Sequence, residues 1–295
     1  MAKTPTQDLA KTSVQLTHPG RIYWPDDGVS KRDLVDYYAL AWLRMAPFVV
    51  DRPLALLRCP DGIKGPRFFQ KHAWKGINPH IEEVADPQDR DGEKLLRIRD
   101  FDGLAALVQS AALEIHPWGT TTAHWEMPDM IIMDLDPGDD VAFSAVISGA
   151  QEIKARFAEM GLASFVKTSG GKGLHVVAPL KPKATWPDIK AAAEAIAHGM
   201  SADSPEEYLS VAAKAKRAGH IFIDYLRNGR GNTAVAPYSA RARSGAAVSM
   251  PLAWEELTEK IGPASFTVKN AASWLGERSA DPWAEFFEAA KPLNG

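Results

Sequence analysis

The chain has 295 residues, 45% of them hydrophobic and 24% charged, with a net charge of -3 and a pI near 6.3. That length can bury a substantial core in one large or two small domains; no apolar window is long enough for a membrane span, and the charge argues against nonspecific coating of nucleic acid. A single cysteine, Cys59, excludes an intrachain disulfide framework and a cysteine-cluster metal site, and fits a reducing cytoplasm.

Residues 1–13 are polar without an apolar core and read as a flexible leader, neither signal peptide nor anchor. Residues 18–25 form a loop with aromatic anchors. Ser30 then looks like an N-cap with Asp33 three residues on; Leu34, Val35, Tyr37, Tyr38, Leu40, Ala41 and Leu43 follow at helical spacing, and Pro47 is expected to close the helix. A buried strand is expected over 54–60. In 67–72, two phenylalanines stand among Arg, Lys and His. That pattern suits a strand with one ring in the core, or an aromatic platform for stacking bases flanked by phosphate-seeking cations. Residues 82–94 are polar and turn-rich and read as a mobile surface loop. A strand over 95–98, a short helix over 102–111 and a strand ending near His116 follow.

Residues 131–137 are an apolar run ending in two carboxylates one residue apart. Period-two alternation puts Asp134 and Asp136 on one face and Met133 and Leu135 on the other, with Pro137 and Gly138 stopping the strand. Such a pair is either an Asx-type turn or a seat for a divalent cation with oxygen preference, Mg2+ or Mn2+. A helix is expected over 143–160. A hairpin over 165–178 turns through Ser169-Gly170-Gly171-Lys172-Gly173, and further helices span 187–200 and 205–218, the last carrying Lys214, Lys216 and Arg217. Asp224 lies in a third apolar run, 221–226, where a carboxylate is costly to bury unless paired or metal-bound. The alternation in 238–243 puts Arg241 and Arg243 on one face. Interleaved strands and helices favour an α/β or α+β domain.

Taken singly, each feature has a plain explanation. SGGKG is not a Walker A loop, since the Gly-x-x-x-x-Gly-Lys-Ser/Thr spacing is absent, and a flexible hairpin or a phosphate cradle both fit it. Arg241 and Arg243 suit a solvated sheet face or a triphosphate. Jointly, three acids, a glycine-lysine turn, His175 beyond it and paired arginines point to two-metal phosphoryl transfer.

Six separated blocks in order then resemble one family: Asp-Leu-Asp-Pro at 134–137, Lys-Thr-Ser-Gly-Gly-Lys-Gly-Leu-His at 167–175, Ile-Asp-Tyr-Leu-Arg-Asn at 223–228, Phe-Phe-Gln-Lys-His at 68–72, His-Pro-Trp-Gly at 116–119 and Tyr-Ser-Ala-Arg-Ala-Arg at 238–243. They resemble the polymerase domain of bacterial DNA ligase D, a nonhomologous end-joining polymerase of the archaeo-eukaryotic primase superfamily, over roughly residues 14–290.

The resemblance implies a primase-polymerase-type fold: mixed or antiparallel sheets flanked by helices, with an RRM-like catalytic core. It implies one domain over 14–290, with 14–115 binding template and DNA end, 116–250 catalytic and 251–290 helical. Asp134, Asp136 and Asp224 would be the catalytic metal-binding acids for two Mn2+ or Mg2+ ions. Ser169, Lys172, His175, Arg241 and Arg243 would bind the nucleotide, and His116 would contact the sugar 2′-hydroxyl of a preferred ribonucleotide. Phe68 and Phe69 would stack on template, Arg21 and Lys31 would hold a downstream 5′-phosphate, and the loop at 82–94 would bridge two DNA ends. Implied partners are DNA ends or gaps bearing a 5′-phosphate, NTP or dNTP substrates, a Ku-type end binder and an ATP-dependent ligase, acting in the cytoplasm at the nucleoid. Two rival readings are a sugar-nucleotide glycosyltransferase that uses Asp-x-Asp and a non-catalytic DNA-end scaffold.

Overall fold

The computed structural model describes residues 9–213, 216–258, 260–278 and 280–293. Residues 9–13, the described end of the expected leader, are anchored. The Thr12 and Ser13 hydroxyls each donate to the Asp102 carboxylate at 2.6 Å, and the Ala10 amide donates to Ala39 O.

Two short strands, β1 (Ile22–Trp24) and β2 (Val29–Ser30), deliver Ser30 as N-cap of helix α1 (Lys31–Val49), where it closes a capping box with Asp33. Pro47 lies inside α1 instead of ending it. The carbonyl that loses its amide partner belongs to Leu43, which is 72% exposed, so water can serve it there. Strands β3 (Leu54–Arg58), β4 (Phe68–Gln70), β5 (Glu82–Ala85) and β6 (Lys94–Arg97), helix α2 (Phe101–Gln109) and strand β7 (Ala112–Pro117) complete the N-terminal half. β3 pairs antiparallel with β4 on one side and β7 on the other, and β5 with β6.

The expected loop at 82–94 is therefore strand at its two ends, Glu82–Ala85 and Lys94, and connects only over 86–93. Its start is also tied down: Arg230 donates to both Asp86 oxygens, at 2.9 and 2.7 Å. β5 buries little apolar surface, so hydropathy carries no strand signal there.

The C-terminal half is built on strand β8 (Met130–Pro137), helix α3 (Phe143–Glu159), strands β9 (Phe165–Thr168) and β10 (Leu174–Pro179), helix α4 (Trp186–Asp203), strands β11 (Tyr208–Leu209), β12 (Ile221–Asp224) and β13 (Pro251–Leu252), and helix α5 (Ala271–Glu277). Its six strands run in the order β11-β12-β8-β10-β9-β13, antiparallel except for β11 with β12. The helix expected over 205–218 is absent among the described residues. Residues 205–207 turn and β11 joins the sheet edge, so strand pairing to β12 overrides local propensity; Lys214 lies outside the described residues. The alternation expected over 238–243 also gives way to a turn, in which the Arg243 amide donates to Arg241 O.

Register divides this sheet into two faces. Met133, Leu135, Val176 and Ile223 are fully buried on the side covered by α3 and α4. On the opposite face Ile132, Val177 and Phe165 pack against Phe48, Trp283 and Phe286. Further along that face the same period of two presents Asp134, Asp136, Asp224, His175 and Lys167 instead.

Candidate active site

Asp134 is flanked by His175 on β10 and Asp224 on β12, each its direct cross-strand partner. His175 Nε2 stands 3.3 Å from Asp134 Oδ1, and Arg227 Nε lies 3.4 Å from Asp134 Oδ2 and 3.0 Å from Asp224 Oδ2. Asp224 also accepts the Leu226 amide at 3.0 Å, which fixes the end of β12. Asp136, next along β8, pairs with Arg217, whose guanidinium lies 4.8 Å over the Phe222 ring.

Charge at the site is balanced by arginine. Burial alone would raise the Asp134 carboxyl, but the neighbouring His175, Arg227 and Lys167 outweigh it and hold the group below its ordinary range. Asp224 moves the other way: burial raises it, Arg227 opposes, and the facing Asp134 adds to the rise. Among the described residues no three His, Cys, Asp or Glu side chains already converge as a metal cage. The donor chemistry nonetheless fits the expected cations: three carboxylates offer only hard oxygen, and Arg217 and Arg227 supply the positive charge such ions would bring.

Beneath the acids, Lys167 Nζ lies 3.0 Å from His175 Nδ1 and donates to Ser249 Oγ at 2.7 Å. Burial drives Lys167 well below its usual range, and burial beside Lys167 pushes His175 down to about 4. The turn over 169–173 is drawn in by Ser169, whose Oγ accepts the Gly171 and Gly173 amides at 3.1 and 3.2 Å. Gly170 has φ +61, and a Cβ there would sit 2.7 Å from Arg241 Cγ, so only glycine lets this arginine lie across the turn. Arg241 in turn donates to Ser169 O, and half-exposed Lys172 pairs with Asp139.

Asp134, Asp136, Ser169, Lys172, His175, Arg241 and Arg243 thus line one open cleft of about 580 Å³, joined by Arg227. Its walls are polar and charged, as suits a small charged ligand. His116, at the end of β7, reaches Glu114 Oε2 through Nε2 at 2.8 Å, and the Phe69 ring meets it edge-on at 5.8 Å between centroids. Phe68 and Phe69 are 50% and 57% exposed on β4, so neither ring is in the core. Phe69 and Asp224 line an adjoining hollow with Lys71 and Arg227.

Arg21 and Lys31 do not line the cleft. The Lys31 amide donates to Arg21 O at 2.8 Å, and Lys31 Nζ is buried, donating to Thr17 O at 2.8 Å and Gln109 Oε1 at 3.1 Å. Burial, reinforced by the Arg21 charge, lowers its ammonium.

Sequence reasoning gave no role to Glu114, Lys167, Arg217 or Arg227. The available signals were a glutamate two residues before His116 and a lysine inside an apolar strand, since strand residues two apart share a face. Arg227, three residues after Asp224 in the short helical turn that follows it, was a further local signal, but Arg217 carried none, because its partner Asp136 is 81 positions away.

Residues 30–283 match the family described as the LigD primase-polymerase domain. The multifunctional non-homologous end joining protein LigD of Pseudomonas aeruginosa is 36% identical over 278 residues, covering 94% of this chain and 33% of that protein. The bifunctional non-homologous end joining protein LigD of Bacillus subtilis is 26% identical over 276 residues, 93% of this chain and 44% of that protein. Among solved structures, the polymerase domain from Mycobacterium tuberculosis ligase D in complex with DNA superposes with a TM-score of 0.85 at 27% identity, covering 95% of this chain and 100% of that one. The chain therefore spans a third to under a half of the length of these curated relatives.

Proposed function

Because the chain belongs to the LigD primase-polymerase family, whose members are nucleotidyltransferase-type DNA polymerases, we propose that it extends 3′-hydroxyl ends at DNA breaks and gaps with nucleoside triphosphates, ribonucleotides in preference, in nonhomologous end joining. The observation that carries this reading is the opposition, across one cleft, of Asp134 and Asp136 and a glycine-rich turn crossed by Arg241, with Asp224 joined to Asp134 through Arg227 at the mouth of the adjoining hollow. A sugar-nucleotide transferase would need Asp134 and Asp136 alone and has no use for Asp224.

In this reading Asp134, Asp136 and Asp224 hold two divalent ions, Mn2+ or Mg2+. The chemistry such a pair supplies is activation of the attacking hydroxyl and neutralisation of the departing pyrophosphate. The chain's own residues do the positioning. Arg241 and Arg243 take the triphosphate oxygens, with the amides and Lys172 of the turn beside them. Lys167 orients the His175 ring, which orients Asp134. His116 faces the sugar, and Phe68 and Phe69 stack on template bases.

Residues 14–115 would serve DNA-end binding, 116–250 the chemistry and 251–290 support within one domain, the loop after β5 bridging two ends. Arg21 and Lys31 would hold a 5′-phosphate. What supports that pocket is exposed Arg21 beside Lys31, with no carboxylate bonded to either among the described residues; Lys31 Nζ already donates to Thr17 O, Gln109 O and Gln109 Oε1 and would contribute charge, not a new hydrogen bond. A Ku-type end binder and an ATP-dependent ligase would be the partners, at the nucleoid; among the described residues no helix is long and apolar enough to cross a membrane.

The test is extension of a primer on a gapped, 5′-phosphorylated template with rNTPs or dNTPs, each with Mn2+ or Mg2+. Template-directed, metal-dependent incorporation is expected. Binding of the gap without incorporation under any of these conditions would leave the scaffold reading instead.

A further inference from the structure

One buried carboxylate gathers the groups that orient both the sugar-facing and the phosphate-facing side chains. Glu114 lies on β7 two residues before His116, so both project from the same face of the strand. Its side chain is only 5% exposed. Oε2 stands 2.8 Å from His116 Nε2 and 3.1 Å from Arg241 Nε, while Oε1 accepts the Ala242 amide at 2.8 Å. Burial alone would raise this carboxyl; His116 and Arg241 outweigh it and hold it down to about 2.

An ionised carboxylate only accepts hydrogen bonds, so the imidazole nitrogen facing it must carry a proton. Burial lowers His116 in spite of Glu114, which favours the neutral ring. A neutral ring with hydrogen on Nε2 has a bare lone pair on Nδ1. We propose that Glu114 is a positioning and specificity-determining residue: it fixes His116 as the Nε2–H tautomer, so that Nδ1 is an acceptor for a sugar hydroxyl. This inference rests on the reading in which His116 faces the sugar of the incoming nucleotide.

A ribose 2′-hydroxyl can donate to that nitrogen; the corresponding deoxyribose carbon cannot and leaves it unpaired. A site built to bond a hydroxyl discriminates against the analogue that lacks it. The edge-on Phe69 ring limits tilting of the imidazole. Through the Arg241 contact and the Ala242 amide, the same carboxylate sets the triphosphate-facing segment relative to the sugar-facing ring. The pairing also bridges the two halves of the fold, since Arg241 goes on to Ser169 O in the glycine turn.

Glu114→Gln keeps the shape and reverses the hydrogen-bond sense. If the new amide oxygen keeps the Ala242 amide, its NH2 faces His116 Nε2 and drives the ring proton to Nδ1. Expected is a fall of about threefold or more in the ribonucleotide-over-deoxyribonucleotide ratio of kcat/KM, the scale of one hydrogen bond. In a His116→Ala background the same change should leave the ratio where it stands, because the tautomer it acts on is gone. Long-range 1H–15N NMR on the wild-type protein reads the tautomer directly and needs no variant to fold; the Nε2–H form is expected. The Nδ1–H form in the wild type, or an unchanged ratio in a folded Glu114→Gln enzyme, overturns the inference alone. A wild-type enzyme without any ribonucleotide preference overturns both the inference and the reading beneath it.

Discussion

A Cβ added to Gly173 would lie 1.7 Å from Leu135 O and 3.0 Å from Leu135 C. The obstacle is backbone, not the end of a flexible side chain, and no rotamer relieves it. Ordinary contact requires the two strands to part by roughly 1.5 Å or more at this point. Leu135 sits between Asp134 and Asp136, and its ladder partner is Leu174, so the shift falls on the carboxylates themselves. Overpacking of this kind costs about 1–3 kcal/mol, which a domain of ordinary stability survives. Misplacing catalytic groups by about 1 Å can reduce turnover by roughly 100-fold. Gly173→Ala should therefore fold, lose a modest amount of stability in urea denaturation, and fall about 100-fold in single-turnover primer extension. As a contrast, Gly276→Ala, at an exposed position of α5 with no atom within 4 Å of its Cβ, should hold activity and gain up to about 1 kcal/mol. A Gly173→Ala enzyme with turnover within threefold of wild type would refute the argument that this close approach sets the carboxylates.

Phe68→Ala and Phe69→Ala should each weaken binding to a template overhang by about 1–3 kcal/mol in fluorescence anisotropy, with Phe69→Ala also loosening His116. Wild-type affinity in both would remove the stacking role. Arg21→Ala should erase most of the preference for a 5′-phosphorylated over a 5′-hydroxyl gap, a loss of about tenfold or more on the scale of a charge-assisted contact. Lys31 is the harder test of that pocket, because removing its ammonium also abandons Thr17 O and Gln109.

The acidic strand was legible because its periodicity and its function coincide: the alternation that buries Met133 and Leu135 is what presents Asp134 and Asp136. The Ser30–Asp33 capping box was equally local and equally visible. Residues 82–85 failed because an exposed edge strand has no apolar alternation to read, and 205–218 failed because pairing of Tyr208 to Ile221 is non-local. The arginine at 241 was visible as a phosphate candidate, but not its tie to Glu114, which depends on two segments 127 positions apart meeting across the sheets. Balance of Asp136 by Arg217 was hidden for the same reason, whereas Arg227 stands three residues after Asp224, a local spacing that could have announced that pair.

The central claim is that the carboxylates around Asp134 form the reacting centre of a metal-dependent polymerase. Asp224→Asn retains an oxygen for the Leu226 amide and sheds a charge that burial disfavours, so the fold should be kept. Primer extension by this variant on a gapped, 5′-phosphorylated template, measured beside its affinity for the same DNA, is the most direct test. Loss of a metal-held charge site is worth several kcal/mol, so incorporation should drop roughly 100-fold or more while DNA affinity stays at the wild-type level. Extension at the wild-type rate by Asp224→Asn would contradict the assignment.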